Sequence, residues 1–259
     1  MIAPDQAAKI AYRMWFYPRH HPEPAREKSW LVDAEHFQIT HASEKLAAYR
    51  WGKGPQVLLV HGWDGRGAQL GAFVDPLRAS GFEVVAFDLP AHGRSGGKKT
   101  NMLEAAAAIQ VVASSLGDMR AVIAHSFGAG ALARALSAGL NTDKVVMISP
   151  PANLRWMADN FFSQLQLNHR VRKRVESRLV NEYGETVWQD VSADYNVRNL
   201  TQSGLIIHDE GDRDVPFSQG RQLAEVWPGA RLLRTQGLGH RRILRDKNVI
   251  NEVVEFLRD

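Results

Sequence analysis

From Gln56 onward, short runs of valine, isoleucine and leucine alternate with longer amphipathic segments, a rhythm that leaves the chain few ways to fold. A run that is apolar at every position suits a strand buried on both faces, and such strands lie parallel, joined by crossover helices. The strand candidates are Val57–Val60, Val84–Phe87, Ala121–Ala124, Val145–Ile148, Leu205–Ile207 and Arg231–Leu233. Upstream, Glu35–Ile39 and Lys45–Trp51 read as an antiparallel pair, preceded by a leading helix and a Pro-rich turn at His20–Pro24. In a sheet of this kind ligands bind beyond the carboxyl ends of the strands, so the residues that follow each run carry the chemistry.

The most informative of these stretches runs from Ala121 to Gly130, where an apolar strand ends in Ser126 and an alanine-rich helical pattern begins at once. A serine at so sharp a turn has a strained backbone and needs small neighbours two positions before and after it, where Ala124 and Gly128 stand. The Ser126 hydroxyl then projects above the sheet edge, and the Phe127 amide lies at a helix N-terminus facing the same space. Taken alone, the pattern also describes a Gly/Ala-rich helix start, so the rest of the chain has to decide.

The stretch resembles the nucleophile elbow of the α/β-hydrolase superfamily, G-x-S-x-G, with Ala124 at the first glycine. Other segments carry the resemblance further, each just after a run. His61-Gly62-Trp63-Asp64-Gly65 is similar to the family's H-G-x loop, and Asp88–Ser95 to its D-x-P-G-x-G-x-S turn with Ala91 replacing a glycine. Leu205–Pro216 resembles the strand followed by G-x-x-D-x-x-V-P, with Asp209 at the glycine position, and Gln236–His240 resembles the G-x-G-H turn. The resemblance extends from about Phe37 to Leu257. It implies a nucleophile, Ser126, a base, His240, and an acid, Asp212, with the backbone N–H groups of Trp63 and Phe127 forming an oxyanion hole. Asp214 competes with Asp212 but lies two residues from Pro216, against the family's four. The order Ser126, Asp212, His240 is the order the fold requires, and the gap of 86 positions from the first to the second leaves room for one strand and a modest cap. His61 is implied to be structural, and Asp88, His92 and Ser95 are expected to fix a loop through local hydrogen bonds.

The expected fold class is therefore α/β. Residues 1–259 form a single α/β-hydrolase domain, a mostly parallel sheet flanked by helices, with a short helical cap at about 152–199. Trp156, Phe161, Phe162, Trp188 and Tyr195 of that interval either line a pocket or pack the cap onto the core, and the sequence leaves both open.

Composition narrows the chemistry. Without cysteine there are no disulfides, thiolate catalysis or cysteine zinc sites, and the chain suits a reducing compartment. His61, Asp88 and His92 do not form a closely spaced ligand set, and His20-His21 in a Pro-rich loop has no spaced partners, so no metal or organic cofactor is expected. Net charge is +4, and the densest basic cluster, His169–Arg174, lies in a helical pattern with Val171, Val175 and Leu179 on one face. It reads first as a solvated helix face and second as an attractor of anions. No nucleic-acid-binding module accompanies it. The amino terminus lacks a secretory pattern, and the most apolar window, Leu103–Leu116, is short of a membrane span, so a soluble cytoplasmic protein is expected. Arg241 and Arg242 are expected to point away from His240.

The function expected is a serine hydrolase cleaving a carboxylic ester, or a related thioester or lactone, of a small or medium-sized molecule. Two alternatives remain: a non-catalytic small-molecule-binding protein on the same fold, and a carbon–carbon hydrolase or perhydrolase using the same triad. A dinucleotide reading of Gly128–Ala133 fails because the fingerprint does not follow the first run and Ser149-Pro150 stand where its acid belongs. Dehalogenase and epoxide-hydrolase chemistry would place an aspartate at Ser126. Physiological substrate and oligomeric state are not encoded in these motifs.

Overall fold

One eight-stranded sheet organises the computed structural model, which describes residues 3–259. The chain opens with helices α1 (Pro4–Phe16) and α2 (Ala25–Trp30) and the hairpin β1 (Glu35–His41) and β2 (Glu44–Trp51). Strands and helices then alternate: β3 (Gln56–Val60), α3 (Val74–Ala79), β4 (Glu83–Phe87), α4 (Met102–Leu116), β5 (Met119–His125), α5 (Phe127–Ser137) and β6 (Lys144–Ile148). Four helices interrupt the alternation, α6 (Leu154–Gln164), α7 (His169–Tyr183), α8 (Val187–Asp190) and α9 (Ala193–Asn196). The chain closes with β7 (Ser203–Asp209), α10 (Phe217–Val226), β8 (Ala230–Thr235), α11 (Gly239–Arg242) and α12 (Lys247–Arg258).

The strand order is β1-β2-β4-β3-β5-β6-β7-β8. The six strands from β3 to β8 pair in parallel, and the hairpin joins antiparallel through β2 and β4. All six strand candidates are strands. Their side chains alternate between two cores: Leu58, Val122 and Val145 pack on α4 and α5, while Leu59, Ile123 and Val146 pack on α3 and α12. Each of those six is fully buried. Burying a side chain of this size is worth roughly 1.5–3 kcal/mol, so both faces of the central strands resist any polar replacement.

Helix starts are set by side-chain caps. Asn101, Asn153 and Asn168 accept from Glu104 N, Trp156 N and Val171 N to begin α4, α6 and α7, and Asp246 accepts from Asn248 N and Val249 N to begin α12. The cap interval holds α6 to α9, but a distant stretch completes it. Ala8, Tyr12 and Phe16 of α1 bury themselves with Phe162 of α6 and with Val171, Val175 and Leu179 of α7. The basic cluster on α7 joins in this docking: Arg174 pairs with Asp5, and the neighbouring Arg178 lies over the Tyr12 ring at 4.1 Å. Among the described residues no helix is long and apolar enough to cross a membrane.

Candidate active site

Ser126 sits at the joint of β5 and α5 with φ 51° and ψ −121°, the strained conformation the small-residue pattern implied. Such a φ in a residue with a Cβ costs about 1–2 kcal/mol and persists only where neighbours hold it. They do so closely. A Cβ on Gly128 would lie 2.3 Å from the His61 carbonyl oxygen, and one on Gly62 would lie 3.1 Å from Ser126 Cβ, so the His61-Gly62 loop is pressed against the elbow. Ser126 N donates to Ile148 O at 2.9 Å, which ties the turn to β6. Ala124, in the motif's first glycine position, is fully buried in β5. Among the described residues the backbone N–H groups of Trp63 and Phe127 have no protein acceptor, as expected at a turn and at the first position of a helix.

Asp212 and His240 meet beside this elbow. His240 Nδ1 is 2.8 Å from Asp212 Oδ2, and the other carboxylate oxygen accepts from the amides of Asp214 and Val215, each at 2.9 Å. The competing Asp214 thus serves Asp212 with its backbone while its own side chain is exposed. Burial of the Asp212 carboxyl opposes ionisation, but the bond and charge of His240 and the amide of Val215 outweigh it and hold the group below the ordinary aspartate range. The buried Ser149 hydroxyl faces the same carboxylate without reaching hydrogen-bond geometry.

Two further groups position the histidine. Asp209, at the motif's glycine position, is a buried carboxylate that accepts from Gly211 N, Thr235 Oγ1 and Leu238 N, each at 2.9 Å. It therefore ties the ends of β7 and β8 to the turn that presents His240. Burial opposes its charge, yet the surrounding donors, Leu238 and Gly239 foremost, keep it below the ordinary range. His125 lies under His240 with ring centres 4.6 Å apart, and its Nε2 donates to the His240 carbonyl at 3.0 Å. Burial and the proximity of His240 push His125 down to about 3, so it stays neutral.

His61 is a loop-holding residue, as the resemblance implied. Its Nε2 accepts from Leu89 N at 2.9 Å and its Nδ1 donates to Gly62 O at 2.7 Å, leaving neither nitrogen free. Burial drives its pKa well below the usual histidine value. Asp88 accepts from Gly67 N, Arg94 N and Tyr49 Oη, His92 Nδ1 donates to Pro90 O, and Ser95 Oγ donates to the Asp88 carbonyl, which fixes the loop after β4. No group of three or more His, Asp or Glu side chains placed to hold a metal occurs among the described residues.

Ser126 and His240 open into one cavity of about 680 Å3 that Trp63 and Phe127 also line. The expectations about the cap aromatics now separate. Trp156 and Phe161 line the cavity, whereas Phe162 is fully buried between α1 and α7, Trp188 lies 3.5 Å beneath the Arg155 guanidinium and Tyr195 is exposed. The wall that sequence reasoning missed comes from the amino-terminal segment: Trp15 of α1, stacked edge-on against Phe161 at 5.0 Å, and Arg19, His21 and Arg26 beyond it. The amphipathic face of α1 was legible, but nothing in it says where that face docks. Arg242 turns away to bond Gly237 O, as expected. Arg241 does not: it lines the cavity, against expectation, since adjacent positions on a helix point about 100° apart and Arg241 and Arg242 cannot share one direction.

A model of the alpha/beta hydrolase family matches residues 57–252. No curated protein sequence matches the chain. Among solved structures, an esterase of Pyrococcus furiosus is similar with a TM-score of 0.72 at 21% identity, covering 93% of this chain and 97% of that one. A bromoperoxidase of Bacillus anthracis is similar with a TM-score of 0.69 at 18% identity, covering 88% of this chain and 100% of that one. An esterase of Rhodococcus sp. ECU1013 has a TM-score of 0.69 at 16% identity and coverages of 88% and 99%. At these identities the likeness shows a shared fold.

Proposed function

Because the chain belongs to the alpha/beta hydrolase family, we propose that it is a serine hydrolase that cleaves a carboxylic ester, or a related thioester or lactone, through an acyl-enzyme on Ser126. The observation that carries this reading is the 2.8 Å bond between Asp212 and His240 at the edge of a cavity shared with a serine held at φ 51°.

The chemistry follows from the groups. A serine hydroxyl is a weak nucleophile near neutral pH and needs a base to take its proton as it attacks. With Asp212 accepting from Nδ1–H, His240 keeps the tautomer whose Nε2 is unprotonated, and Asp212 also stabilises the imidazolium that forms. The amides of Trp63 and Phe127 are the donors for the oxyanion, and losing one such donor costs roughly 100- to 1,000-fold in rate. Collapse of the tetrahedral intermediate expels the alcohol with the proton from His240. Water activated by the same histidine then frees the acid and restores Ser126. A cavity of about 680 Å3 suits a small or medium-sized molecule.

Labelling with a fluorophosphonate tests the proposal. The wild-type protein is expected to label stoichiometrically, and Ser126→Ala and His240→Ala to lose the label while retaining their circular dichroism. A series of p-nitrophenyl esters is expected to show the highest kcat/KM at short and medium acyl lengths. Folded wild-type protein that takes no label and turns over no ester would leave a ligand-binding role instead.

A further inference from the structure

The cavity is lined by five arginines but only three carboxylates outside the triad. Two of the three acids are already spent. Glu27 receives Arg66 at 3.2 Å, and that buried guanidinium is further fixed by the carbonyls of His21 and Pro22. Asp64 receives both the backbone N and the Nε of Arg19, with His21 Nε2 at 3.9 Å from the same carboxylate. Arg26, Arg241 and Arg245 remain, and among the described residues none of them has a carboxylate partner. Against them stands one unpaired acid, Asp214.

These three arginines come from α2, from α11 and from the turn that follows α11, and all three line the one cavity, with Arg26 close enough to Arg245 to act on its charge. Like charges are held together there at some cost: burial and the neighbouring Arg26 lower the pKa of Arg245, and Glu27, which attracts it, is shared with Arg66. The same cavity also has an apolar lining, with Trp15, Trp156, Met157 and Phe161, the first and last packed edge-on. A cavity with a nucleophile, an apolar side and unneutralised arginines fits a molecule that is neutral and greasy at one end and anionic at the other. Of the oxyacid groups, a carboxylate suits the site better than a phosphate. The guanidinium fork matches an oxygen pair of either group, but the single charge of a carboxylate is repelled less by the unpaired Asp214.

We propose that the substrate is an ester that also bears a free carboxylate, a hemiester of a dicarboxylic acid in its simplest form, with the carboxylate held by Arg26, Arg241 and Arg245. This rests on the serine-hydrolase reading for the reaction but not for the binding. The acyl carbonyl sits at Ser126, and the methylene chain spans the distance to the arginines.

The test compares monomethyl adipate with methyl hexanoate, which differ by the carboxylate. In wild-type protein kcat/KM is expected to be about tenfold higher for the hemiester, and that ratio is expected to shrink in 0.5 M NaCl, because salt screens exposed charges, the Debye length falling from about 10 Å at about 0.1 M to about 3 Å at about 1 M. The double variant Arg26→Gln, Arg245→Gln is expected to bring the ratio near one, while Arg221→Gln on α10, a remote exposed arginine, leaves it as in wild type. Binding of the same two esters to Ser126→Ala, followed by calorimetry, is expected to show the same preference without turnover. Hydrolysis of both esters at equal kcat/KM overturns the carboxylate site and leaves the serine hydrolase standing. Selective binding of the hemiester without turnover in wild type does the reverse. If Ser126→Ala binds both alike or neither, the carboxylate site is wrong.

Discussion

Two alanines sit at positive φ, Ala42 at 52° and Ala91 at 61°, and the same substitution has different consequences at each. Ala42 is exposed at the first central position of the two-residue turn between His41 and Glu44, a place where glycine is the favoured residue. Relief of about 1–2 kcal/mol of strain exceeds the roughly 0.4–1 kcal/mol that glycine adds to the entropy of the unfolded chain. Ala42→Gly is therefore expected to raise Tm by roughly 1–4 °C in a thermal melt, and an unchanged or lower Tm would count against the strain. Ala91 is fully buried, so Ala91→Gly also loses about 0.8 kcal/mol of methyl burial, and its Tm is expected to stay near that of the wild type. Asp209 presents a different residue-scale case. Asp209→Asn places an amide NH2 among donors and is expected to cost about 2–3 kcal/mol, seen as a lower Tm, with slower fluorophosphonate labelling as the His240 turn loosens. Labelling and Tm both equal to wild type would show that the carboxylate holds nothing. The meeting of Asp212 and His240 beside Ser126 was legible because the chemistry we propose calls for those residue types in that order. Asp209 was not, because its partners are mostly backbone amides, which leave no mark in a sequence.

Among elements, the strands were readable and the placement of α1 was not. A strand buried on both faces writes its environment into every residue, as Val57–Val60 does, whereas an amphipathic helix records only that some partner exists. That partner is the cap. The interval 152–199 was legible as a break in the alternation, yet α6 and α7 bury Phe162, Val171 and Val175 only because α1 supplies Ala8, Tyr12 and Phe16. The wall of the cavity is thereby shared between the first helix and the sixth, through Trp15 and Phe161. Trp15→Ala removes one side of that pair and widens the apolar end. It is expected to raise KM for medium-chain esters several-fold with little change in kcat, since Trp15 acts on the pocket through its packing on Phe161 and makes no hydrogen bond to Ser126 or His240. A fall in kcat at constant KM would mean that α1 acts on the chemistry and not on the pocket.

At the scale of the whole molecule, four buried histidines make the fold sensitive to mild acid. Burial lowers His61, His92, His125 and His208 alike, to about 4 for His92 and about 3 for His125. In the unfolded chain each takes up a proton near pH 6.5. Between the two values the unfolded state binds more protons, so the stabilisation is complete above about pH 6.5 and is lost as the pH falls. At pH 5 a histidine that stays neutral in the fold accounts for a loss of roughly 2 kcal/mol. Glu27 and Asp88 work in the opposite sense, since burial raises their pKa and the folded state holds their protons more readily, but they offset only part of a loss spread over four groups. Tm is expected to fall by at least roughly 10 °C between pH 7.5 and 5.0, and a Tm that holds over that interval would mean that the histidines accept protons in place. The interval isolates them from Asp212 and Asp209. Asp212 and Asp209 lie below the ordinary aspartate range, so their stabilisation is present at pH 5 and is lost only at lower pH, as their own protonation begins.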